Sequence, residues 1–303
     1  MTTLRSRTAT RSGRLLLAII AVILMSAAGV SAAPTSVPSA GTNANDIDLN
    51  TVAGAVPHGD GYAIPLKAKR PSWYTEALAR KVHENAGAPV AAPPDAPFPG
   101  EVGIRPGSWM IAPYGCTMNF VFAKGSSLAI GTAGHCVDRL GQRVVLLTVA
   151  PGGANPVLVD IGAVLARRDN GIGDDFALVS IDPALRHWVS PTIAVVGGPC
   201  GAYKGSGPET VWHYGHGVAI GTGGTPRAGV ALTWKADSFG WTGAAIFGDS
   251  GSAVRVTDLK AAGDLTHLVV DTSWLPSYIA GTRISKILKI ASGWSLKSSS
   301  LCL

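Results

Sequence analysis

Three short stretches place a histidine, an aspartate and a serine in settings that suit nucleophilic chemistry. They are Thr132-Ala133-Gly134-His135-Cys136, Asp174-Asp175-Phe176-Ala177-Leu178 and Gly248-Asp249-Ser250-Gly251. A serine hydroxyl is a poor nucleophile until a nearby imidazole takes its proton. The imidazole does this best when a carboxylate fixes its tautomer and stabilises its cation. Ser250 stands between two glycines, just after an apolar run. No other pattern offers a competing chemistry. His213 and His216, in Val211-Trp212-His213-Tyr214-Gly215-His216-Gly217, have no third ligand nearby, and neither C-x-x-C nor H-E-x-x-H occurs. Gly221-Thr222-Gly223-Gly224-Thr225-Pro226 reads as a turn, since no Lys-Ser/Thr follows it as in a phosphate loop. No metal and no organic cofactor is expected. His58, His83, His187, His213, His216 and His267 read as surface or packed residues.

The elements that must bring these three groups together are short and β-like. Met118 to Ala123 and Ser127 to Ile130 flank Lys124-Gly125-Ser126, a hairpin signal. Further runs are 142–150, 157–165, 176–181, 211–220, 229–235, 239–247, 252–257 and 266–272, separated by turn residues. Strands at this spacing, with no alternating helices, argue for a barrel or sandwich. They fall in two sets, before and after about residue 190. The candidate base and acid lie in the first set and the nucleophile in the second, so a site is expected in the cleft between them. Near the end, apolar residues at 284, 287, 288 and 291 predict a helix over 283–292.

The chain has 303 residues, a formal charge of +6 and only 15% charged residues, with 38 glycines. That profile suits a turn-rich all-β protein. Arg5, Arg7, Arg11 and Arg14 precede an apolar stretch from Leu15 to Met25 and an Ala-rich exit at Ser31-Ala32-Ala33, which predicts a signal peptide over 1–32. Without those four arginines the charge is +2. No basic stripe remains for nucleic acid, and no second run of membrane-spanning length follows. The expected protein is secreted, a monomer, with attachment to the cell surface left open. Residues 33–100 are rich in Pro, Ala and Gly and read as a pro-segment or flexible extension, with one helix from Ser72 to Asn85 and a basic cluster at Lys67-Ala68-Lys69-Arg70. Cys116, Cys136, Cys200 and Cys302, behind a signal peptide, point to disulfides. Of the three pairings, Cys116–Cys136 is favoured because it would pin the loop that carries His135. Cys200–Cys302 then follows by elimination.

Thr132-Ala133-Gly134-His135-Cys136, Asp175-Phe176-Ala177-Leu178 and Gly248-Asp249-Ser250-Gly251-Ser252 resemble the three signature segments of the chymotrypsin/trypsin-like serine peptidases, most nearly the secreted bacterial branch. The resemblance covers about residues 110 to 290. It implies an all-β fold of two antiparallel six-stranded barrels with a C-terminal helix, in a domain spanning 101–303. The barrels would occupy about 110–188 and 190–282. It implies His135 as general base, Asp175 rather than Asp174 as its orienting carboxylate, and Ser250 as nucleophile. The N–H groups of Gly248 and Ser250 would form the oxyanion hole, each worth about 3 kcal/mol in the transition state.

The resemblance also frames what differs. No Ile-Val-Gly-Gly-like segment precedes the domain to pair with Asp249, so an internal cation or buried polar groups are expected there instead. Ala244 stands six residues before the nucleophile, where an acidic residue would select Arg or Lys. Ser273-Trp274-Leu275 is the expected pocket wall. Protein or peptide substrates cut after small or medium apolar residues are therefore expected. Two rivals are a silent protease fold that only binds proteins, and an esterase of unrelated fold. The esterase pattern Gly-x-Ser-x-Gly fails, because Ser252 stands at its last position.

Overall fold

Runs of Val, Ile, Leu and aromatic residues, broken every few positions by Gly, Pro or Asp, fold as strands along almost the whole chain. The computed structural model describes residues 54–217, 224–271 and 277–302, all within one unit that starts at Asp48. The expected signal peptide (1–32) and the expected pocket wall (Ser273, Trp274, Leu275) lie outside those residues.

The N-terminal part supplies β1 (Val56–His58), β2 (Gly61–Pro65), α1 (Glu76–Glu84) and β3 (Pro89–Ala91). The next part supplies β4 (Trp109–Ala112), β5 (Cys116–Thr117), β6 (Val121–Lys124), β7 (Ser127–Thr132), β8 (Arg143–Val149), β9 (Pro156–Asp169) and β10 (Asp175–Ser180). The last part supplies β11 (Glu209–Gly215), β12 (Thr225–Trp234), β13 (Ser238–Thr242), β14 (Ala253–Val256), β15 (Ala261–Asp264), β16 (His267–Asp271), β17 (Tyr278–Thr282), α2 (Ile284–Ile290) and β18 (Ser295–Leu296). They form two antiparallel sheets. One runs β18-β6-β7-β10-β9-β8-β4-β5, with β3 also on β9; the other runs β1-β2-β16-β17-β13-β12-β11-β14-β15.

Each sheet holds nine strands among the described residues, where six were expected. The surplus on the first is β3, β18 and the two-residue β5. The surplus on the second is β1 and β2, and β15 and β16 are two halves of one run interrupted at Leu265-Thr266. The expected hairpin forms between β6 and β7, with Lys124 opposite Ser127 and Gly125 at φ 56°. Its glycine meets the positive φ that the two-residue turn requires. Expected strand 239–247 stops at Thr242, and Ile246 is tied to the serine turn instead, its N–H donating to Asp249 Oδ2 and its carbonyl accepting the Asp249 N–H.

Residues 54–100 are not the loose extension that one reading of their composition suggests. β2 pairs with β16, β3 pairs with β9, and α1 lays Ala79 and Val82 against Ile111, Val145, Leu147 and Leu158. The helix starts later than Ser72, because Pro71 to Trp73 form a turn that buries Tyr74; the Thr75 hydroxyl then caps it by accepting the Leu78 N–H. α2 spans 284–290 rather than 283–292 and buries Ile284 and Ile287, the spacing seen in the sequence. Between the sheets these two isoleucines join Phe120, Phe122, Phe176 and Leu178. Each such fully buried side chain stabilises by about 1.5–3 kcal/mol. In the second sheet Trp234, Phe239 and Trp241 stack at 5.1 and 4.9 Å between ring centres.

Candidate active site

His135 follows β7 in a single helical turn, Gly134–Cys136. A disulfide from Cys136 to Cys116 anchors that turn. A Cβ on Gly134 would lie 1.6 Å from the Arg168 carbonyl oxygen, so only glycine lets the turn approach β9 this closely. Asp175 opens β10 and is fully buried. Its Oδ1 accepts the His135 backbone N–H at 3.0 Å, and its Oδ2 accepts from His135 Nδ1 at 2.6 Å. Its own backbone is held by Thr282, whose Oγ1 accepts the Asp175 N–H and donates to the Asp175 carbonyl. Burial alone would raise the Asp175 carboxyl, but the charge and hydrogen bonds of His135 outweigh it and hold the pKa below the ordinary carboxylate value.

Ser250 stands in the turn before β14, and its Oγ lies 2.7 Å from His135 Nε2. With the Nδ1 proton committed to Asp175, Nε2 is the acceptor and Ser250 Oγ the donor. The Thr266 carbonyl is a second acceptor, 3.0 Å from the hydroxyl. The backbone N–H groups of Gly248 and Ser250 converge on a single oxygen, the carbonyl of Leu66, at 2.6 and 3.4 Å. Gly248 has φ 106°, and a Cβ there would lie 2.3 Å from the His216 carbonyl oxygen. Gly251, at φ 89°, is equally tight against the Thr117 carbonyl. The glycines of this stretch are therefore steric requirements of the turn that presents the serine. Asp174, the rejected neighbour of Asp175, points to Lys286 at 3.2 Å.

Asp249 is buried, and both its carboxylate oxygens accept from Arg227 Nη1 at 2.8 Å; the Ile246 N–H donates to Oδ2 at 2.8 Å. The internal cation is thus an arginine on β12. Ala244 is exposed, with its carbonyl 3.2 Å from buried His213 Nε2. Burial lowers the His213 pKa. His216 pairs with buried Glu101 at 2.8 Å and stacks on Trp109 at 5.0 Å. Both histidines are packed groups with different partners. A second disulfide joins Cys200 to Cys302.

Two further residues lie beside this cluster: Asp264, which the sequence did not single out, and His267, read there as a surface or packed histidine. His267 sits edge-on to the His135 ring at 5.5 Å, with Nδ1 3.7 Å from Asp175 Oδ2 and 2.9 Å from Thr266 Oγ1. Burial pushes its imidazole down to about 4. His135, Asp175 and His267 are the one group among the described residues that gathers three ligand-type side chains, and Asp175 Oδ2 is already taken by His135 Nδ1. Asp264 is fully buried and accepts the Thr282 N–H at 3.1 Å. Burial, and then the nearby Asp175 charge, raise its carboxyl well above the usual range. No local pattern marks either residue; they meet the site only through the pairing of distant strands.

No protein-family model matches the chain, and no curated protein matches it. Among solved structures it is similar to Thermobifida fusca protease A, at 20% identity and TM-score 0.46, covering 65% of this chain and 98% of that one. It is also similar to a serine protease specific for glutamic acid, at 16% identity and TM-score 0.47, covering 64% of this chain and 100% of that one. A serine endoprotease from Yersinia pestis matches at 16% identity and TM-score 0.39, over 60% of this chain and 57% of that one. The chain is all-β, built on two antiparallel sheets, with His135 and Asp175 carried by the first and Ser250 by the second.

Proposed function

We propose that the protein is a secreted serine endopeptidase that hydrolyses peptide bonds through an acyl-enzyme. One observation carries this reading: an unbroken hydrogen-bonded chain from Asp175 through His135 to Ser250, at 2.6 and 2.7 Å. In the reaction Ser250 Oγ attacks a peptide carbonyl as its proton passes to His135 Nε2. Asp175 holds the tautomer and stabilises the resulting cation. The developing oxyanion lies between the N–H groups of Gly248 and Ser250. His135 returns the proton to the leaving amine, and water then releases the acyl group by the same route in reverse. Ala244, in place of an acidic residue, supports a preference for apolar side chains over Arg or Lys before the cut. The even cysteine number, both pairs bridged, and the N-terminal sequence support export.

The test is labelling of the incubated full chain with a fluorophosphonate, together with hydrolysis of an unfolded protein substrate. Labelling mapped to Ser250 and abolished in Ser250→Ala, with parallel loss of hydrolysis, is expected. An unlabelled, inactive protein would leave only the protein-binding alternative.

A further inference from the structure

The cleft is not empty: the chain's own residues 61–68 run through it, and they are held on both sides of one peptide bond. On the N-terminal side, β2 pairs antiparallel with β16, with Ile64 opposite Leu268 and Pro65 opposite His267. The ladder continues one residue further, where the Leu66 N–H donates to the Thr266 carbonyl at 3.2 Å. The Leu66 carbonyl oxygen then takes both N–H groups of Gly248 and Ser250. The Leu66 side chain is 1% exposed and belongs to the apolar cluster that includes Leu265, Leu268, Ala245 and Ile279. On the C-terminal side, Ala68 and Gly115 exchange two backbone hydrogen bonds at 2.8 and 2.9 Å. Between them, Lys67 Nζ donates to the His135 carbonyl at 3.0 Å and lies over the Tyr114 ring at 4.0 Å.

A strand added to a sheet edge, one side chain in an apolar pocket and one carbonyl between two aimed donors are the grips of a bound peptide substrate. Resting on the peptidase reading above, we propose that Leu66–Lys67 is the first bond this enzyme cuts, in its own chain. Until then residues 54–66 keep the cleft closed. Ser250 Oγ adds to the Leu66 carbonyl carbon and its proton moves to His135 Nε2. The Leu66 C–N bond breaks, and that proton passes to the Lys67 nitrogen, which leaves as an amine. Water then attacks the Leu66–Ser250 ester, giving the Leu66 carboxylate and regenerating the hydroxyl. The mature chain begins at Lys67. α1 and β3 stay with it, because they pack on and pair with the first sheet. Cleavage therefore falls at the edge of the basic cluster, well before the Pro-rich run that ends at Gly100. The same pose names the substrate class: extended peptides with leucine, or a similar apolar residue, before the cut.

The experiment follows the full chain by intact mass and N-terminal sequencing, as wild type, Ser250→Ala and Leu66→Asp. Wild type is expected to yield a chain starting at Lys67, at a fractional rate independent of protein concentration. Ser250→Ala is expected to stay whole, and Leu66→Asp to be cut at least tenfold more slowly at this bond. Because Leu66→Asp could misfold, a synthetic peptide of residues 61–70 is also given to processed wild type, which is expected to split it between Leu and Lys. A protein that labels at Ser250 and hydrolyses substrates, yet neither starts at Lys67 nor cuts that peptide there, overturns this inference and leaves the peptidase reading standing. Loss of labelling and of all hydrolysis would overturn both.

Discussion

Arg227 is expected to be the most stability-critical charged residue outside the proposed catalytic triad. It meets Asp249 where both are taken out of water: the carboxylate is fully buried and the guanidinium side chain is 9% exposed. Among the described residues, Arg227→Ala leaves that carboxylate with the Ile246 N–H as its remaining close donor. Removing one partner of a buried ion pair costs about 3–5 kcal/mol, because the other charge stays buried without compensation. Against a typical total stability of about 5–15 kcal/mol, that is about a fifth or more. The turn affected also carries Gly248 and Ser250, so the proposed oxyanion donors are displaced by the same change. If one donor is lost, kcat falls about a hundredfold or more. Stability is read by urea unfolding with tryptophan fluorescence in a Ser250→Ala background, which keeps the chain uncut; kcat is read in the active background. The double variant Arg227→Met with Asp249→Asn removes both charges and is expected to recover most of the lost stability. A loss under about 1 kcal/mol for Arg227→Ala, or a double variant as unstable as the single, would refute the argument.

Other outcomes follow from the same geometry. Asp175→Asn offers its amide N–H to His135 Nδ1, forces the proton onto Nε2 and leaves no acceptor for the serine; kcat/KM should fall about ten-thousandfold with an unchanged melting temperature, measured on a chromogenic peptide. His267 is buried neutral with its pKa near 4, facing Asp175 and His135. Its unfolded form binds a proton near pH 6.5, so the stability it confers is complete above that pH and is lost as pH falls from 6.5 to 4, by about 3 kcal/mol. His267→Gln in the uncut background should flatten unfolding free energy against pH in that window, and an unchanged slope would rule the effect out. The Cys200–Cys302 bridge closes a loop of 102 residues. Replacing both cysteines by serine should cost about 2–5 kcal/mol in urea unfolding.

What the sequence made legible is what depends on neighbours in the chain. A serine between glycines, a histidine before a cysteine and an aspartate opening an apolar run are local signals, and the structure brings all three into hydrogen-bonding distance. The alternation in β6–β7 and the spacing of Ile284 and Ile287 are local in the same sense. What stayed hidden was pairing across long separations. Gly61 to Leu66 is interrupted by proline and lies in a Pro-rich context, so it reads as linker, yet its partner strand begins about 200 residues later. Ser273-Trp274-Leu275 drew attention as the cleft wall by its residue types. Those three residues lie outside the described ones; the described contacts to Ser250 Oγ and the Leu66 N–H come from Thr266, whose neighbours carry no such mark. Arg227 was one cation among many until β12 carried it beside Asp249.

The position of β2 has a consequence for the solution behaviour of the protein. β16 is flanked by β17 on one side and β2 on the other. When β2 departs, a row of backbone donors and acceptors on β16 is left facing water, and such rows recruit any extended chain of suitable register. A second copy of the protein is then as eligible as a substrate. The departing segment is thus also a guard against self-association: the whole chain should remain monodisperse at concentrations where the shortened one, held inactive and free of peptide, begins to associate edge to edge.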